Sequence, residues 1–207
     1  MTGLNDLLEI IRQRSLGDRT ITAIAGPPGS GKSTLAENVA QQLNDILPGS
    51  AAVLPMDGYH LDDGLLGPLG LRSKKGSPET FDVGGLLEMI RRLRSDQDTD
   101  IVIPVFDRDL EIARAGARII SSSVRHVIAE GNYLLLNRPR WSDLARQFDV
   151  TVMVTTPEKI LRERLTERWR SYGLSPDQVA AKVEENDLPN GRLVVTQSIE
   201  PEFIIDF

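Results

Sequence analysis

The segment from residue 21 to residue 37 constrains the fold of this chain more than any other part of the sequence. It reads ITAIAGPPGSGKSTLAE, in which an apolar run leads through a glycine-rich turn into a pattern typical of a helix. The spacing of the phosphate-binding P-loop, Gly-x-x-x-x-Gly-Lys-Ser, is matched from Gly26 to Ser33, between a predicted strand and a predicted helix. The segment therefore predicts a site for a nucleoside triphosphate in an α/β fold.

The residues of this loop have separate roles in binding a triphosphate. Glycines let backbone N–H groups curl around the phosphates, and the helix that follows adds its dipole. We expect Lys32 to reach the β- and γ-phosphates, the Ser33 hydroxyl to ligate Mg²⁺ and Thr34 to contact the α-phosphate. The predicted nucleotide-binding residues are Gly26, Pro27, Pro28, Gly29, Ser30, Gly31, Lys32, Ser33 and Thr34.

Composition limits the partners that such a site would serve. The formal net charge of −6 argues against nucleic acid, because phosphate backbones are bound by basic surfaces. The chain has no cysteine, which excludes disulfides and thiolate metal sites. No apolar run approaches the length needed to cross a bilayer, and the first residues lack the pattern of a secretion signal. We expect a cytoplasmic protein with a small-molecule partner, and a homodimer stays open.

The rest of the chain alternates between patterns typical of strands and of helices. Strands are predicted at residues 20–25, 51–55, 100–106 and 148–156, with a hairpin leading into a buried strand at 117–130 and one or two final strands at 192–207. Helices are predicted at 4–14 (packed outside the core), after the P-loop, from Asp82 to about Arg94, from Pro157 onward and from a capping box at Ser175 and Gln178. This alternation implies one three-layer α/β/α domain over residues 1–207.

The acceptor of the terminal phosphate has to be inferred from other segments. The chain contains no Asn-Lys-x-Asp tetrapeptide of the kind that specifies guanine. A motor or transporter ATPase would show an apolar strand ending in Asp-Glu, and the nearest match is VIAEG, where Glu130 is a single carboxylate. Such a carboxylate beside the P-loop suits a ligand of Mg²⁺ or of its water. Asp57 follows the second predicted strand, at the edge where open α/β sheets bind ligands. We expect Asp57 to deprotonate an acceptor hydroxyl, although an aspartate before glycine is also common in turns.

Charged residues elsewhere have both a functional and a structural interpretation. Asp107 and Arg108 follow a third predicted strand, where they would bind hydroxyls or form a surface ion pair. Arg164 and Arg168 lie four residues apart, so they would clamp the γ-phosphate as a lid closes. The glutamates between these arginines favour instead a solvated helix with ion pairs. His60 would bond a substrate hydroxyl.

Several motifs together identify a resemblance. With the P-loop, the stretches MDGYH, KGSPETFD, PVFDR, AEGNYLLL and ENDLPNGRLV are similar to the uridine kinase, pantothenate kinase and phosphoribulokinase group of P-loop kinases. Within this group the chain resembles bacterial proteins labelled fructose-transport-system kinases, from about residue 18 to the end. The resemblance implies a P-loop fold of five parallel strands with a helical lid, ATP as donor and Mg²⁺ as cofactor.

The resemblance also implies roles for individual residues. Catalysis would use Asp57, Lys32 and the lid arginines Arg164 and Arg168, and Mg²⁺ would be held by Ser33 and Glu130. An acceptor-binding loop would span about residues 57–82 and the lid about 160–178. The implied acceptor-binding residues are Asp57, Tyr59, His60, Lys75, Glu79, Asp107 and Arg108. The ENDLPNGRLV segment would run near the nucleotide base, with Asn186 and Asn190.

One departure from the family pattern bears on the acceptor. Uridine kinases carry a Tyr-Asp pair with aromatic neighbours, whereas this chain has Phe106-Asp107, and its aromatic content is only 5%. Few residues are then available to stack on a base, which favours a sugar such as fructose. The sequence thus predicts an ATP-dependent kinase acting on an alcohol group. A uridine, cytidine or pantothenate kinase is the alternative, and a regulatory P-loop NTPase that switches a partner protein is the rival from another class.

Overall fold

A five-stranded parallel sheet forms the centre of the molecule. The computed structural model describes residues 3–14, 19–95 and 99–207, so parts of the predicted 1–207 span lie outside the described residues. The strands are β1 (Thr20–Ala25), β2 (Ala51–Pro55), β3 (Ile101–Asp107), β4 (Ile112–Ile120), β5 (His126–Gly131), β6 (Val150–Thr155) and β7 (Phe203–Asp206). The sheet order is β2-β5-β1-β6-β7, with every pairing parallel, whereas β3 and β4 form a separate two-stranded ribbon. The predicted α/β fold with five parallel strands is confirmed.

Helices cover both faces of this sheet. They are α1 (Leu4–Arg14), α2 (Lys32–Ile46), α3 (Asp63–Leu66), α4 (Val83–Ser95), α5 (Trp141–Ala145), α6 (Glu158–Ser171), α7 (Pro176–Ala180) and α8 (Leu188–Gln197), with a π-helix at Ala181–Asp187. All six residues of β1 are buried, because Ile21 and Ala23 pack in the cluster that holds the apolar face of α4, while Ile24 packs in the cluster that holds α1 and α2. No helix within the three described ranges is long and apolar enough to cross a membrane.

Helix α1 is part of a core cluster. Leu7 and Ile11 are fully buried and belong to the same apolar cluster as Leu35 and Val39 of α2. The prediction that this helix packs outside the core is therefore wrong. Its apolar residues recur at the helical spacing that places them all on one face, and that face is covered by α2 and β1.

The ribbon replaces the hairpin that the sequence predicted at 117–130. β4 pairs antiparallel with β3, from Ile101 opposite Ile120 to Asp107 opposite Ile112, so the hairpin turn lies at 108–111 and the predicted hairpin is wrong. The buried strand predicted to follow it is confirmed as β5. The ribbon packs closely on the 3₁₀ turn that follows β2. At Gly58 an added Cβ atom would lie 2.5 Å from the Pro104 carbonyl oxygen. This close approach brings the turn that carries Asp57 and the ribbon together.

The last 20 residues contain a helix where strands were predicted. Residues 188–197 form α8, so a strand at 192–197 is wrong, whereas the strand at 203–206 is confirmed as β7. Val194 is fully buried, and Gly191 packs where an added Cβ atom would lie 3.3 Å from Pro27 Cβ. Burial of this face against the rest of the protein overrides the strand propensity of the Val-Val-Thr run.

Two predicted helix starts are confirmed in atomic detail. Asp82 Oδ1 accepts a hydrogen bond from the Gly85 N–H at 2.9 Å and so caps α4. Ser175 and Gln178 form the capping box of α7, with Gln178 Oε1 accepting from the Ser175 N–H at 2.9 Å.

Candidate active site

The P-loop leads from β1 into α2, and its glycines adopt conformations that other residues would not. Gly29 and Gly31 have φ angles of 79° and 91°, in the left-handed region that glycine enters without steric cost. At Gly26 an added Cβ atom would lie 2.7 Å from Ser30 Oγ and 2.9 Å from the Val154 carbonyl oxygen. Because Gly31 caps α2 and has no side chain, the first N–H groups of that helix are left for an anion.

A cavity of about 250 Å³, which we call the P-loop cavity, opens beside this turn. Arg164 Nη1 donates a hydrogen bond to the Gly29 carbonyl oxygen at 3.3 Å. The Phe207 ring lies directly against Gly31, where an added Cβ atom would collide with it. The cavity is lined by Gly29, Gly31, Lys32, Ser33, Thr34, Arg164, Arg168 and Phe207.

Parallel pairing of β1 with β5 brings a carboxylate to the start of α2. Ile24 lies opposite Glu130 in the sheet, and Ser33 Oγ donates a hydrogen bond to Glu130 Oε2 at 3.0 Å. Burial raises the pKa of Glu130, and the nearby Lys32 ammonium acts against this. Within the described ranges no group of three or more Asp, Glu, His or Cys side chains forms a protein-only metal site. A hydroxyl and one carboxylate next to a phosphate site nevertheless fit Mg²⁺, which usually binds few protein oxygens together with phosphates.

Asp57 lies in the 3₁₀ turn after β2, where its carboxylate is surrounded by positive charge. Arg108 Nη2 donates to Asp57 Oδ2 at 2.7 Å, and His60 Nδ1 lies 2.8 Å from the Asp57 carbonyl oxygen. Burial favours a higher pKa for Asp57, but His60 when protonated, Arg108, Lys32 and Arg168 outweigh it, and the pKa is lowered. The pKa of His60 is also lowered, mainly by burial. Near neutral pH Asp57 is therefore ionised beside a neutral imidazole.

A second cavity, of about 120 Å³, surrounds this carboxylate, and we call it the Asp57 cavity. Segments from distant parts of the chain line it, among them Lys75 of the predicted acceptor loop, Phe106 of β3 and Asn132 after β5. Lys32, Ser33 and Arg168 line both the Asp57 cavity and the P-loop cavity. The two cavities therefore meet at the lysine and serine of the P-loop.

Some arginines of helix α6 form ion pairs on its surface, whereas others line the P-loop cavity. Arg162 pairs with Glu184 at 2.7 Å and with Glu158 at 3.2 Å, as expected of a solvated helix with ion pairs. Arg164 and Arg168, one turn apart, instead line the P-loop cavity. The spacing of four residues that predicted a shared face is confirmed.

Comparison with known proteins agrees with this geometry. The family model described as "AAA domain" matches residues 21–188, and YggC, an uncharacterized protein of Escherichia coli (strain K12), is 37% identical over 91% of this chain and 78% of its own. The chain belongs to this family of P-loop kinases. A Schizosaccharomyces pombe protein named "putative uridine kinase" is 27% identical over 97% of this chain and 87% of its own. The crystal structure of a "putative fructose transport system kinase" from Silicibacter sp. TM1040 has a TM-score of 0.89 at 38% identity, covering 99% of both chains.

Three residues predicted to bind the acceptor of this kinase lie outside the Asp57 cavity. Tyr59 is buried in the main apolar cluster, since the 3₁₀ turn directs it inward. Glu79 is exposed and contacts Arg138 at 3.5 Å. Asp107 accepts hydrogen bonds at 3.1 Å from the N–H groups of residues 109 and 110, because it closes the ribbon turn, and it pairs with Arg114.

The Asp57 cavity contains residues that the sequence analysis did not identify. Asn132 lines it with a buried Oδ1 atom that has no hydrogen-bond partner among the described residues. Trp169, Lys182 and Asp187 also line it, and the Trp169 indole N–H donates to Asp187 Oδ2 at 2.6 Å. Asn132 follows Glu130 by two residues, and this position at a strand end was the available signal. Lys182 gave none, because it lies in an unremarkable charged helix.

The ENDLPNGRLV segment of the kinase also contributes to the Asp57 cavity. Asn186 lines this cavity, and its Nδ2 atom donates to the Lys75 carbonyl oxygen at 3.0 Å. Asn190 Nδ2 donates in turn to Asn186 Oδ1 at 3.1 Å. The structure thus ties this segment to the predicted acceptor loop through Lys75.

Proposed function

We propose that this kinase transfers the γ-phosphoryl group of ATP to an alcohol group of a small molecule. One observation carries the proposal: the P-loop cavity and the Asp57 cavity share Lys32, Ser33 and Arg168. A triphosphate bound by the P-loop would present its terminal phosphate at that shared wall. A hydroxyl held beside Asp57 would meet it there.

The shared wall has the charges that phosphoryl transfer needs. Catalysis of this reaction consists mainly of positioning and of stabilising charge on the transferred group. Lys32 and Arg168 would supply positive charge there, and Arg164 would act from the side of the P-loop cavity. Ser33 and Glu130 would hold Mg²⁺, which when bound neutralises charge on the phosphates.

Asp57 is proposed to orient the acceptor hydroxyl and to take its proton. The hydroxyl oxygen forms a bond to the γ-phosphorus, and the bond from the γ-phosphorus to the β,γ-bridging oxygen breaks. That oxygen leaves with ADP, and the hydroxyl proton passes to Asp57. The lowered pKa of Asp57 keeps the carboxylate ionised, so it accepts a hydrogen bond from the hydroxyl before transfer. Arg108, at 2.7 Å, holds one carboxylate oxygen in place and leaves the other for the substrate.

A polyhydroxylated molecule, with a sugar such as fructose as the first candidate, is the proposed acceptor. The name of the Silicibacter relative supports a sugar, and the unpartnered Asn132 Oδ1 atom is an acceptor suited to a hydroxyl. A nucleoside is the second candidate, because the Schizosaccharomyces pombe relative is named as a uridine kinase. Phe106 and Trp169 line the cavity, but Lys75 and Lys182 stand over their rings, at 5.5 and 5.2 Å from the centroids, which leaves less aromatic surface for a base.

The test is ADP production from Mg-ATP with fructose, other sugars, uridine, cytidine and pantothenate, each against a control without acceptor. We expect stimulation by one class of acceptor and its phosphate ester in the mass spectrum. If no acceptor raises a slow background, and a protein partner accelerates it instead, the kinase proposal fails in favour of a regulatory NTPase.

A further inference from the structure

Resting on the proposed function, we propose further that the acceptor carries an anionic group and that Lys182 binds it. This narrows the polyhydroxylated class proposed above to a hydroxylated carboxylate or a phosphorylated sugar, and it displaces free fructose as the first candidate. Lys182 is a specificity-determining residue of the Asp57 cavity. It acts on a part of the acceptor distinct from the reacting hydroxyl.

Most cations that line the Asp57 cavity already have partners. Lys75 Nζ pairs with Asp63 at 2.7 Å, and Arg108 pairs with Asp57 at the same distance. Lys32 and Arg168 line the P-loop cavity as well, where the phosphates of the donor would neutralise them. None of these four side chains is left to an anion on the acceptor.

Lys182 differs from these cations in its surroundings. Among the described residues it forms no salt bridge, and its Nζ atom stands 5.2 Å from the centroid of the Trp169 ring. Asp187, which lines the same cavity, attracts the Lys182 ammonium electrostatically without forming a salt bridge to it, and its Oδ2 atom accepts a hydrogen bond from the Trp169 indole. A cation–π contact holds an ammonium in place without neutralising its charge, so Lys182 is positioned and its ammonium, which has no direct salt bridge among the described residues, can still donate hydrogen bonds to an anion.

The hydroxyl-binding and anion-binding groups come from different segments of the chain. Asp57 and Asn132 follow β2 and β5, at the edge of the sheet. Lys182 and Asn186 belong to the π-helix Ala181–Asp187, which packs against α6. An acceptor with a hydroxyl at one part and an anion at another would use both sets of groups. A neutral sugar would leave the Lys182 ammonium without a directly paired anion in this cavity.

The first experiment measures anion binding without turnover. Inorganic phosphate is titrated calorimetrically into the protein saturated with Mg²⁺ and a non-hydrolysable ATP analogue, so that the P-loop cavity is filled. We expect phosphate to bind to the wild type and to Lys182→Arg, and to bind roughly 10- to 100-fold more weakly to Lys182→Met. Lys159→Met, an exposed lysine of α6 outside both cavities, is the matched control and should bind as the wild type does.

The inference fails if Lys182 does not contribute to phosphate binding. If phosphate fails to bind the analogue complex, or binds Lys182→Met as well as the wild type, Lys182 is only a packing partner of Trp169. Retained binding of the ATP analogue by Lys182→Met shows that the variant is folded, so a loss of phosphate binding is not a folding defect.

A second experiment identifies the source of the anion and separates the two proposals. Glucose, gluconate and glucose 6-phosphate, and fructose with fructose 6-phosphate, are compared as acceptors. A carboxylate or phosphate member with a lower KM than its neutral partner, and a KM raised in Lys182→Met with little change in kcat, supports the inference. Preference for the neutral members, unchanged in Lys182→Met, overturns it while the kinase proposal stands. Phosphate binding through Lys182, with no ester formed from any acceptor and with ATP hydrolysis accelerated by a protein partner instead, keeps the anion site and overturns the kinase proposal.

Discussion

The P-loop cavity and the Asp57 cavity share a wall but are built in opposite ways. Five of the eight residues that line the first come from the run between Gly29 and Thr34. The second takes its lining from the ribbon, from loops after β2 and β5, from α6 and from the π-helix. The cavity that we propose for the donor is thus encoded locally, whereas the cavity that we propose for the acceptor depends on how distant segments pack.

The largest expected effect tests the wall that the two cavities share. Lys32→Ala should lower kcat for phosphoryl transfer by roughly 10²- to 10³-fold, because it removes the positive charge that would stabilise the transferred phosphoryl group. Steady-state ADP release measures this. Lys159→Ala, outside both cavities, should stay within about twofold of the wild type. Turnover by Lys32→Ala within tenfold of the wild type would show that the cavities do not meet at a reacting phosphate.

Asp57→Asn sharpens the comparison on the acceptor side. We expect phosphoryl transfer to fall by roughly 10²- to 10⁴-fold while ATP affinity changes little, because Asp57 lines only the second cavity. Asp107→Asn is the matched control, since an asparagine oxygen still accepts the two N–H groups of the ribbon turn. Transfer rates and ATP binding are measured for both variants. A normal rate of phosphoryl transfer by Asp57→Asn would contradict the role of Asp57 as the base.

Arg164 and Arg168 of α6 should behave differently when replaced. Arg168 lines both cavities and Arg164 only the P-loop cavity. Arg168→Ala should therefore lower kcat roughly 10- to 100-fold and raise KM for both substrates, whereas Arg164→Ala should raise mainly the KM for ATP, by about tenfold or less. Exposed Arg170→Ala is the control. Identical kinetic profiles for the two variants would contradict the division between the cavities.

The smallest effect tests the first turn of α6, which lies outside both cavities. Hydrogen bonds from Arg192, at 2.7 and 2.8 Å, and from Arg162 hold the pKa of Glu158 at about 2. Because the folded pKa lies below the unfolded value, any stabilisation from Glu158 is present above about pH 4.5 and is lost as the pH falls towards 2. In an NMR titration, Arg192→Ala should raise this pKa and leave kcat unchanged. A lowered kcat would place this turn in the site.

The difference between the cavities also explains which features the sequence could predict. The P-loop and the capping box of α7 depend on neighbours along the chain, and both were predicted. The parallel sheet was predicted from the alternation of strand and helix patterns, each of which is local, although its strands pair across long separations. Residues 192–197 look like a strand by their β-branched residues, and only burial of Val194 against distant elements makes them helical. Tyr59 and Glu79 lie in family motifs, but each belongs to its own 3₁₀ turn. These turns direct Tyr59 into the core and Glu79 towards Arg138. Nothing local to Lys182 indicates that Trp169 lies beneath it.

The shared lining has a thermodynamic consequence. Since Lys32, Ser33 and Arg168 belong to both cavities, a ligand in one cavity changes the environment that a ligand meets in the other. The two binding equilibria are then coupled, and linkage requires the coupling to be reciprocal. Whatever factor the bound nucleotide applies to the dissociation constant of the acceptor, the bound acceptor applies to that of the nucleotide. The ternary complex has the same free energy whichever substrate binds first, so the order of substrate addition is decided by rates, while the three shared side chains would set the size of the coupling.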